Sequence, residues 1–260
     1  MMAGNPQPRT ASDRAGGASP SGTIYAIGDI HGCYDLLVDL LDRIVADTSR
    51  STTPNDTTLV FMGDYIDRGP ATSDVLTALV WLERHAPVPT VFLKGNHEQA
   101  LLDYVADPIG GQRWLRFGGR ATLRSYGVEI DDRPLTEAEQ IDLHDRIVDR
   151  LPASHIDFIR RLELFHETEQ YVFAHAGIRP GIPMEGQTPQ DLLWIREGFL
   201  EEQAAAAKRV VHGHTWVGDK PELRTHRIGI DTGAFRTGVL TAAKLRGEKV
   251  EFISTMRTTG

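Results

Sequence analysis

Thr23-Ile24-Tyr25-Ala26-Ile27-Gly28-Asp29-Ile30-His31-Gly32 is a short β-branched run that breaks at a glycine and then presents an aspartate and a histidine. From Tyr34 to Val45, apolar Leu36, Leu37, Leu40, Leu41 and Ile44 fall at helical spacing, and Thr58 to Met62 is the next apolar run. Ser73 to Arg84 repeats the helical pattern and Thr90 to Leu93 the strand. Strand, loop, helix, strand is the pattern of βαβ units, in which ligand sites collect at the carboxyl ends of parallel strands. Further along, Leu162 to His166 and Tyr171 to Ala174 predict a hairpin around Glu167-Thr168-Glu169, and short strands are expected near Val210, Ile228, Val239 and Phe252. The expected fold class is α/β, with two packed mixed β-sheets flanked by helices.

The strand ends carry the chemistry. Gly28-Asp29-Ile30-His31-Gly32 is followed by Gly63-Asp64-Tyr65-Ile66-Asp67-Arg68-Gly69-Pro70, Gly95-Asn96-His97-Glu98, Ala174-His175-Ala176-Gly177 and His212-Gly213-His214-Thr215. Together these blocks supply carboxylate, amide and imidazole ligands, a set suited to two hard or borderline divalent ions. A binuclear metal hydrolase is the expectation. His212 and His214 both qualify as ligands by position, because strand residues two apart point the same way.

The order and wording of the blocks, from about Ile24 to about Leu245, resemble the phosphoprotein phosphatase family of serine/threonine phosphatases within the calcineurin-like metallophosphoesterases. The compact bacterial and phage members are the nearest in form. Asp67-Arg68-Gly69-Pro70 is the most specific part, since the wider superfamily usually keeps only the first aspartate of that block.

The resemblance implies a ligand set. Asp64 bridges the two ions, Asp29 and His31 complete one site, and Asn96, His175 and His214 complete the other. Gly213-His214 is followed by Trp216 where the wider superfamily has a second ligand histidine, so His214 is taken as the ligand and His212 as structural. Manganese is the expected metal, with iron and zinc compatible with the same shell. Phosphate-ester hydrolysis needs a nucleophile at neutral pH and neutralisation of the phosphoryl oxygens, which two metals supply through a metal-bridging hydroxide. In the family the histidine at His97 protonates the leaving oxygen and the aspartate at Asp67 holds it. Arg68 and Arg196 are the expected phosphate clamps, with Asn96 beside them, because a guanidinium grips two phosphoryl oxygens in one plane. Arg196 lies in Leu193-Trp194-Ile195-Arg196, which resembles the Leu-Trp-x-Arg of bacterial members.

The leading expectation is a metal-dependent phosphomonoesterase acting on phosphoserine or phosphothreonine in proteins, or on a small phosphomonoester. The alternative is a nucleotide hydrolase like the symmetrical dinucleoside tetraphosphatases. Those enzymes usually lack the aspartate before Arg-Gly-Pro and have Gly-Asn-His-Asp, where this chain has Asp67 and Glu98. A non-catalytic scaffold on the same fold is disfavoured by the intact ligand set.

Composition narrows the classes further. A chain of 260 residues with 40% apolar content can bury one large core, and a single domain over 23–260 is expected. The formal charge of −8 disfavours nonspecific nucleic-acid binding, which needs clustered Lys and Arg. Residues 1–22, rich in Pro, Gly and Ser with no apolar core, read as a disordered tail and not as a signal peptide. No later run is apolar for long enough to cross a bilayer. The one cysteine, Cys33, forms no intramolecular disulfide and fits a reducing, cytoplasmic setting; it is expected to be a small buried helix residue. Between Pro108 and Pro152, paired glycines and an acidic helical stretch from Thr136 to Arg150 suggest a cap-like insertion over one rim, or else a peripheral helix pair.

Overall fold

The computed structural model describes residues 22–50, 56–131, 133–202 and 208–255. The tail expected over 1–22 therefore lies, apart from Gly22, outside the described residues.

Strands β1 (Thr23–Ile27), β2 (Thr57–Phe61) and β3 (Thr90–Phe92) alternate with helices α1 (Tyr34–Thr48) and α2 (Thr72–His85). β1 and β2 run parallel with Ile27 opposite Phe61, and β2 and β3 run parallel with Phe61 opposite Phe92. Two late strands complete this sheet, β9 (Thr241–Arg246) antiparallel to β1 and β10 (Lys249–Ser254) antiparallel to β9, in the order β10-β9-β1-β2-β3. A second sheet has the order β4-β5-β6-β8-β7, from β4 (Phe165–Glu167), β5 (Tyr171–Ala174), β6 (Arg209–His212), β7 (Glu222–Leu223) and β8 (Arg227–Gly229). Two mixed sheets in an α/β chain are thus observed as expected.

The two-residue period of the strands decides what lies on each side. Ile24, Ala26, Val60, Met62, Ala243 and Leu245 meet Tyr171, Phe173, Val211 and Ile228 of the second sheet in one buried cluster. The alternate residues Tyr25, Ile27, Leu59 and Phe61 turn the other way and pack on Leu36, Leu37, Leu40 and Ile44 of α1 and Val75, Leu76 and Leu79 of α2. Strands buried on both faces explain why β1 and β2 read as continuous apolar runs.

Several boundaries differ from the sequence reading, and three of them have a visible cause. β4 begins at Phe165 because Leu162 still closes the preceding helix α6 (Ala153–Arg161), and Glu163 bridges to Leu93. The hairpin turn falls at Thr168–Gln170, where the Thr168 N–H donates to the Tyr171 carbonyl. The strand expected at Val239 starts at Thr241, after the left-handed Gly238 that ends the short helix α8 (Ala234–Thr237).

Past Pro108, a π-helical turn (Leu115–Gly119) leads into α4 (Arg120–Ser125), and α5 (Glu137–Arg150) follows. Thr136 caps α5 in a capping box with Glu139. Trp114, Leu115, Leu123, Val128, Leu143 and Ile147 join the same apolar cluster as α1 and α2, so this region shares the core.

Candidate metal centre

Every expected ligand stands just beyond a strand end or opens the helix after one. Asp29 and His31 follow β1, Asp64 follows β2, His175 follows β5 and His214 follows β6. Asn96 and His97 form the first turn of α3 (Asn96–Ala106), behind the N-cap Gly95. The first sheet contributes the aspartates and the second sheet two of the histidines, so the site lies across the seam between them.

Backbone strain is concentrated in these turns. Among the described residues, the non-glycine positions with left-handed φ are His31 (46°), Asp64 (51°), Asp67 (73°), Arg68 (67°) and His214 (59°), all from the blocks singled out in the sequence. Such conformations cost of order 1 kcal/mol or more each and persist only where surrounding contacts enforce them. At Asp64 the enforcer is Glu98. Its buried carboxylate accepts from the Asp64 N–H (2.8 Å), the Gly95 N–H (2.9 Å), the Tyr65 N–H (2.8 Å) and the Ile66 N–H (3.3 Å).

Asp64 is the hub. Its Oδ1 lies 3.4 Å from His175 Nε2 and its Oδ2 lies 3.5 Å from His31 Nε2 and 3.8 Å from His97 Nε2. Asn96 Oδ1 lies 3.0 Å from His175 Nε2 and 2.8 Å from His214 Nδ1. Among the described residues, two groupings of possible ligand atoms share Asp64: His31, Asp64 and His97, and Asp64, His175 and His214, each within 4.8 Å.

The second nitrogen of each histidine fixes its orientation. His31 Nδ1 is 2.8 Å from the Ile66 carbonyl and His175 Nδ1 is 2.9 Å from the Met62 carbonyl. Each can only donate there, which leaves both Nε2 lone pairs facing Asp64. Burial holds His31 and His175 below the ordinary imidazole range, and burial with the neighbouring His175 pushes His214 down to about 3. Three neutral imidazoles are what a cation requires.

The carboxylates show the complementary deficit. Burial raises Asp29 well above the usual carboxylate range, with Asp231 and Asp64 adding to the effect. Its Oδ2 accepts from the His214 N–H at 2.9 Å, whereas its buried Oδ1 has no hydrogen-bond partner. Gly213 passes so close that a Cβ there would stand 1.9 Å from that oxygen. Asp64, in contrast, is held below the usual range: burial opposes its charge, but His175, His97 and His31 outweigh it. An orphaned buried carboxylate oxygen, a second carboxylate facing three histidines and three neutral imidazoles fit a pair of divalent cations.

His97 behaves differently. Its Nδ1 is 2.6 Å from Asp67 Oδ2. Burial works against charge on this ring, but Asp64 and Asp67 overcome it and raise its pKa above the ordinary value. Arg68 places Nη1 3.1 Å from His31 Nε2 and Nη2 3.0 Å from His97 Nε2, and its guanidinium lies 4.9 Å over the Phe235 ring. Arg196 reaches the opposite side, its Nε 3.2 Å from His214 Nε2. His212, the residue left ambiguous by spacing, is outside both groupings: its Nε2 faces Arg227 at 3.3 Å and its ring packs on Phe199. Cys33 is buried beside the His31 carbonyl.

Residues 22–227 match the family model of the calcineurin-like phosphoesterases. The chain belongs to that family. Its members are binuclear metal-dependent hydrolases of phosphate esters, in agreement with the clustered donors. Among curated relatives, the asymmetrical bis(5'-nucleosyl)-tetraphosphatase PrpE of Halalkalibacterium halodurans is 28% identical, over 88% of this chain and 91% of its own length. Serine/threonine-protein phosphatase 1 of Salmonella typhimurium is 31% identical, over 86% of this chain and 92% of its own. A solved serine/threonine phosphatase from Saccharomyces cerevisiae superposes with a TM-score of 0.56 over 93% of this chain and 82% of that one; at 12% identity it shows the fold alone. The PrpE relatives carry the asymmetrical name, whereas the nucleotide alternative expected from the sequence is the symmetrical enzyme. Among the described residues, no helix of this phosphoesterase is long and apolar enough to cross a membrane.

Three residues of the site escaped the sequence reading. Trp114 and Thr122 donate to Asp67 from the region past Pro108, with no local signal to announce it. Asp231, in Ile230-Asp231-Thr232-Gly233, is a buried carboxyl pushed up to about 6 by its burial and by Asp64. It repeats the pattern of an apolar run ending in aspartate and glycine, which was the available cue.

Proposed function

We propose that this phosphoesterase is a serine/threonine protein phosphatase, cleaving phosphomonoesters with His97 as the proton donor. Asp29, His31 and Asp64 would hold one ion, and Asp64, Asn96, His175 and His214 the other. When bound, the two ions, manganese in this reading, supply a water nucleophile and neutralise charge on the phosphoryl oxygens. The chain's own residues do the rest. Arg68 and Arg196 approach from opposite sides and clamp the remaining phosphoryl oxygens, with the Asn96 amide between them. Arg68 lies over the Phe235 ring with Nη1 and Nη2 at His31 and His97 Nε2, and in this reading it turns from those nitrogens to the phosphate, freeing His97 Nε2. His97 gives its Nε2 proton to the departing seryl oxygen, and Asp67 keeps the resulting ring oriented through Nδ1.

The observation that carries this reading is the 2.6 Å Asp67–His97 contact beside the ligand cluster. An alkoxide is a poor leaving group, and a positioned acid contributes about 10²- to 10⁴-fold to its departure. The one cysteine is buried, which suits a cytoplasmic enzyme.

A second reading has its own support: the PrpE relative makes hydrolysis of an asymmetrically cleaved dinucleoside tetraphosphate the alternative. The two separate on a panel assayed with Mn²⁺: a phosphopeptide, p-nitrophenyl phosphate, diadenosine tetraphosphate and a phosphodiester. The expected result is phosphopeptide turnover well above the diester. A preference of tenfold or more for diadenosine tetraphosphate in kcat/KM, about 1.4 kcal/mol in transition-state binding, would replace the phosphatase reading with the nucleotide one.

A further inference from the structure

We infer that Thr122 and Trp114 are positioning residues for the proton donor, and that the region past Pro108 acts on catalysis through Asp67. The inference rests on His97 being the acid. Asp67 is fully buried, and both of its oxygens are occupied. Oδ2 takes the His97 contact and the Trp114 Nε1–H at 2.9 Å; Oδ1 takes the Thr122 hydroxyl at 2.6 Å and the same Trp114 N–H at 3.1 Å.

The hydroxyl has one proton, and the carboxylate claims it. Thr122 Oγ1 can then only accept from its other neighbours, the Asp67 N–H at 3.0 Å and Thr72 Oγ1 at 3.2 Å. Thr72 is therefore the donor in that pair. Thr122 closes a loop on Asp67, accepting from its backbone and donating to its side chain. Such a loop holds both the carboxylate rotamer and the left-handed backbone at this residue. The adjacent Arg68 N–H donates to the Gly118 carbonyl at 3.2 Å, so the same region also backs the clamp arginine. Trp114 and Thr122 reach the acid through Asp67, which lies outside both ligand groupings, so they can influence the acid without touching the ligand cluster directly.

A group acting through the acid should matter most where the leaving group needs a proton. Alkyl phosphates need one, whereas p-nitrophenolate is a stable anion near neutral pH. Thr122→Val removes the hydroxyl at nearly constant volume, Thr122→Ser keeps it, and Trp114→Phe removes only the N–H and one ring. In the metal-loaded protein, Thr122→Val and Trp114→Phe should each lower kcat for phosphoserine peptide by about tenfold or more, and kcat for p-nitrophenyl phosphate by less than about threefold. Metal content should stay at the wild-type value, and Thr122→Ser should recover most of the peptide rate. Equal losses on both substrates, loss of metal, or no rescue by serine would overturn the inference and leave these residues with a packing role. His97→Asn is measured alongside. If it shows the leaving-group bias and the Thr122 and Trp114 variants do not, the positioning inference fails; if His97→Asn itself lacks the bias, the acid assignment is what fails.

Discussion

Replacing Glu98 by glutamine changes one oxygen to an amide nitrogen and leaves size and shape intact. The two carboxylate oxygens each receive two backbone N–H groups, from Asp64 and Gly95 on one side and from Tyr65 and Ile66 on the other. A glutamine presents its oxygen to one pair and two N–H donors to the other, so two hydrogen bonds become donor-to-donor contacts. Burial and the neighbouring Asp64 push the Glu98 carboxyl up to about 7, so the comparison is made above that pH; there, hydrogen bonds to the charged acceptor contribute about 1.5–3 kcal/mol each, giving an expected destabilisation of roughly 3–6 kcal/mol. That is a large share of the ~5–15 kcal/mol typical of a folded domain. Urea unfolding followed by circular dichroism, in chelator so that metal binding does not contribute, measures it directly. In the same variant, the loosened Asp64 turn should weaken metal uptake, read by titration with Mn²⁺. Stability of Glu98→Gln within about 1 kcal/mol of the parent would refute the four-donor account.

Burial pushes His212 down to about 4 from an unfolded value near 6.5, so below pH 6.5 the unfolded chain binds more protons than the folded one. The stability this residue leaves intact above pH 6.5 is lost as pH falls toward 4, by up to about 3 kcal/mol; His212→Gln should flatten that part of the stability profile in denaturant titrations between pH 7.5 and 4.5, and an unchanged slope would count against it. Gly213→Ala would force a Cβ to within 1.9 Å of the present Asp29 Oδ1 position, so the carboxylate must swing away; the variant should fold yet bind less than two metals per chain by elemental analysis, and a full complement would show that Asp29 is not a ligand. Chelation should abolish turnover and Asp64→Asn should be the most damaging single ligand change, because Asp64 belongs to both groupings; a near-normal rate with two metals retained would remove its hub role.

Much of the site is legible in the sequence, for a physical reason. Ligands at strand ends need a β-branched run, a glycine and a polar side chain in consecutive positions, and that local requirement is written directly into the blocks around Asp29 and Asp64. Asn96 and His97 were legible for a similar reason, at the start of a helix behind Gly95. What was not legible depends on contacts between distant positions. Thr122 is 55 residues from Asp67, and no periodicity in the intervening sequence encodes their meeting. His212 shows the limit of local rules: it alternates with His214, yet Arg227 on the adjacent strand draws its ring away from the cluster. Strand boundaries shifted for a further reason, since β4 begins where the α6 cap and the Leu93 bridge permit and not where β propensity first rises.

Because Asp29, Asp64 and Asn96 hang from one sheet and His175 and His214 from the other, ions held by this proposed ligand set would also cross-link the two layers. Binding to the folded chain alone raises stability by RT ln(1 + [L]/Kd), about 2.7 kcal/mol at a hundredfold excess over Kd. That increment is added at the seam where Ile24, Val60 and Met62 meet Phe173 and Val211. Opening the sandwich would break the ligand shell, and stripping the ions would loosen the sandwich. Amide hydrogens in β1, β2, β5 and β6 should therefore share one protection class that follows the metal supply, and a cell's divalent-ion level would set how long the two layers stay together as well as how fast the enzyme turns over.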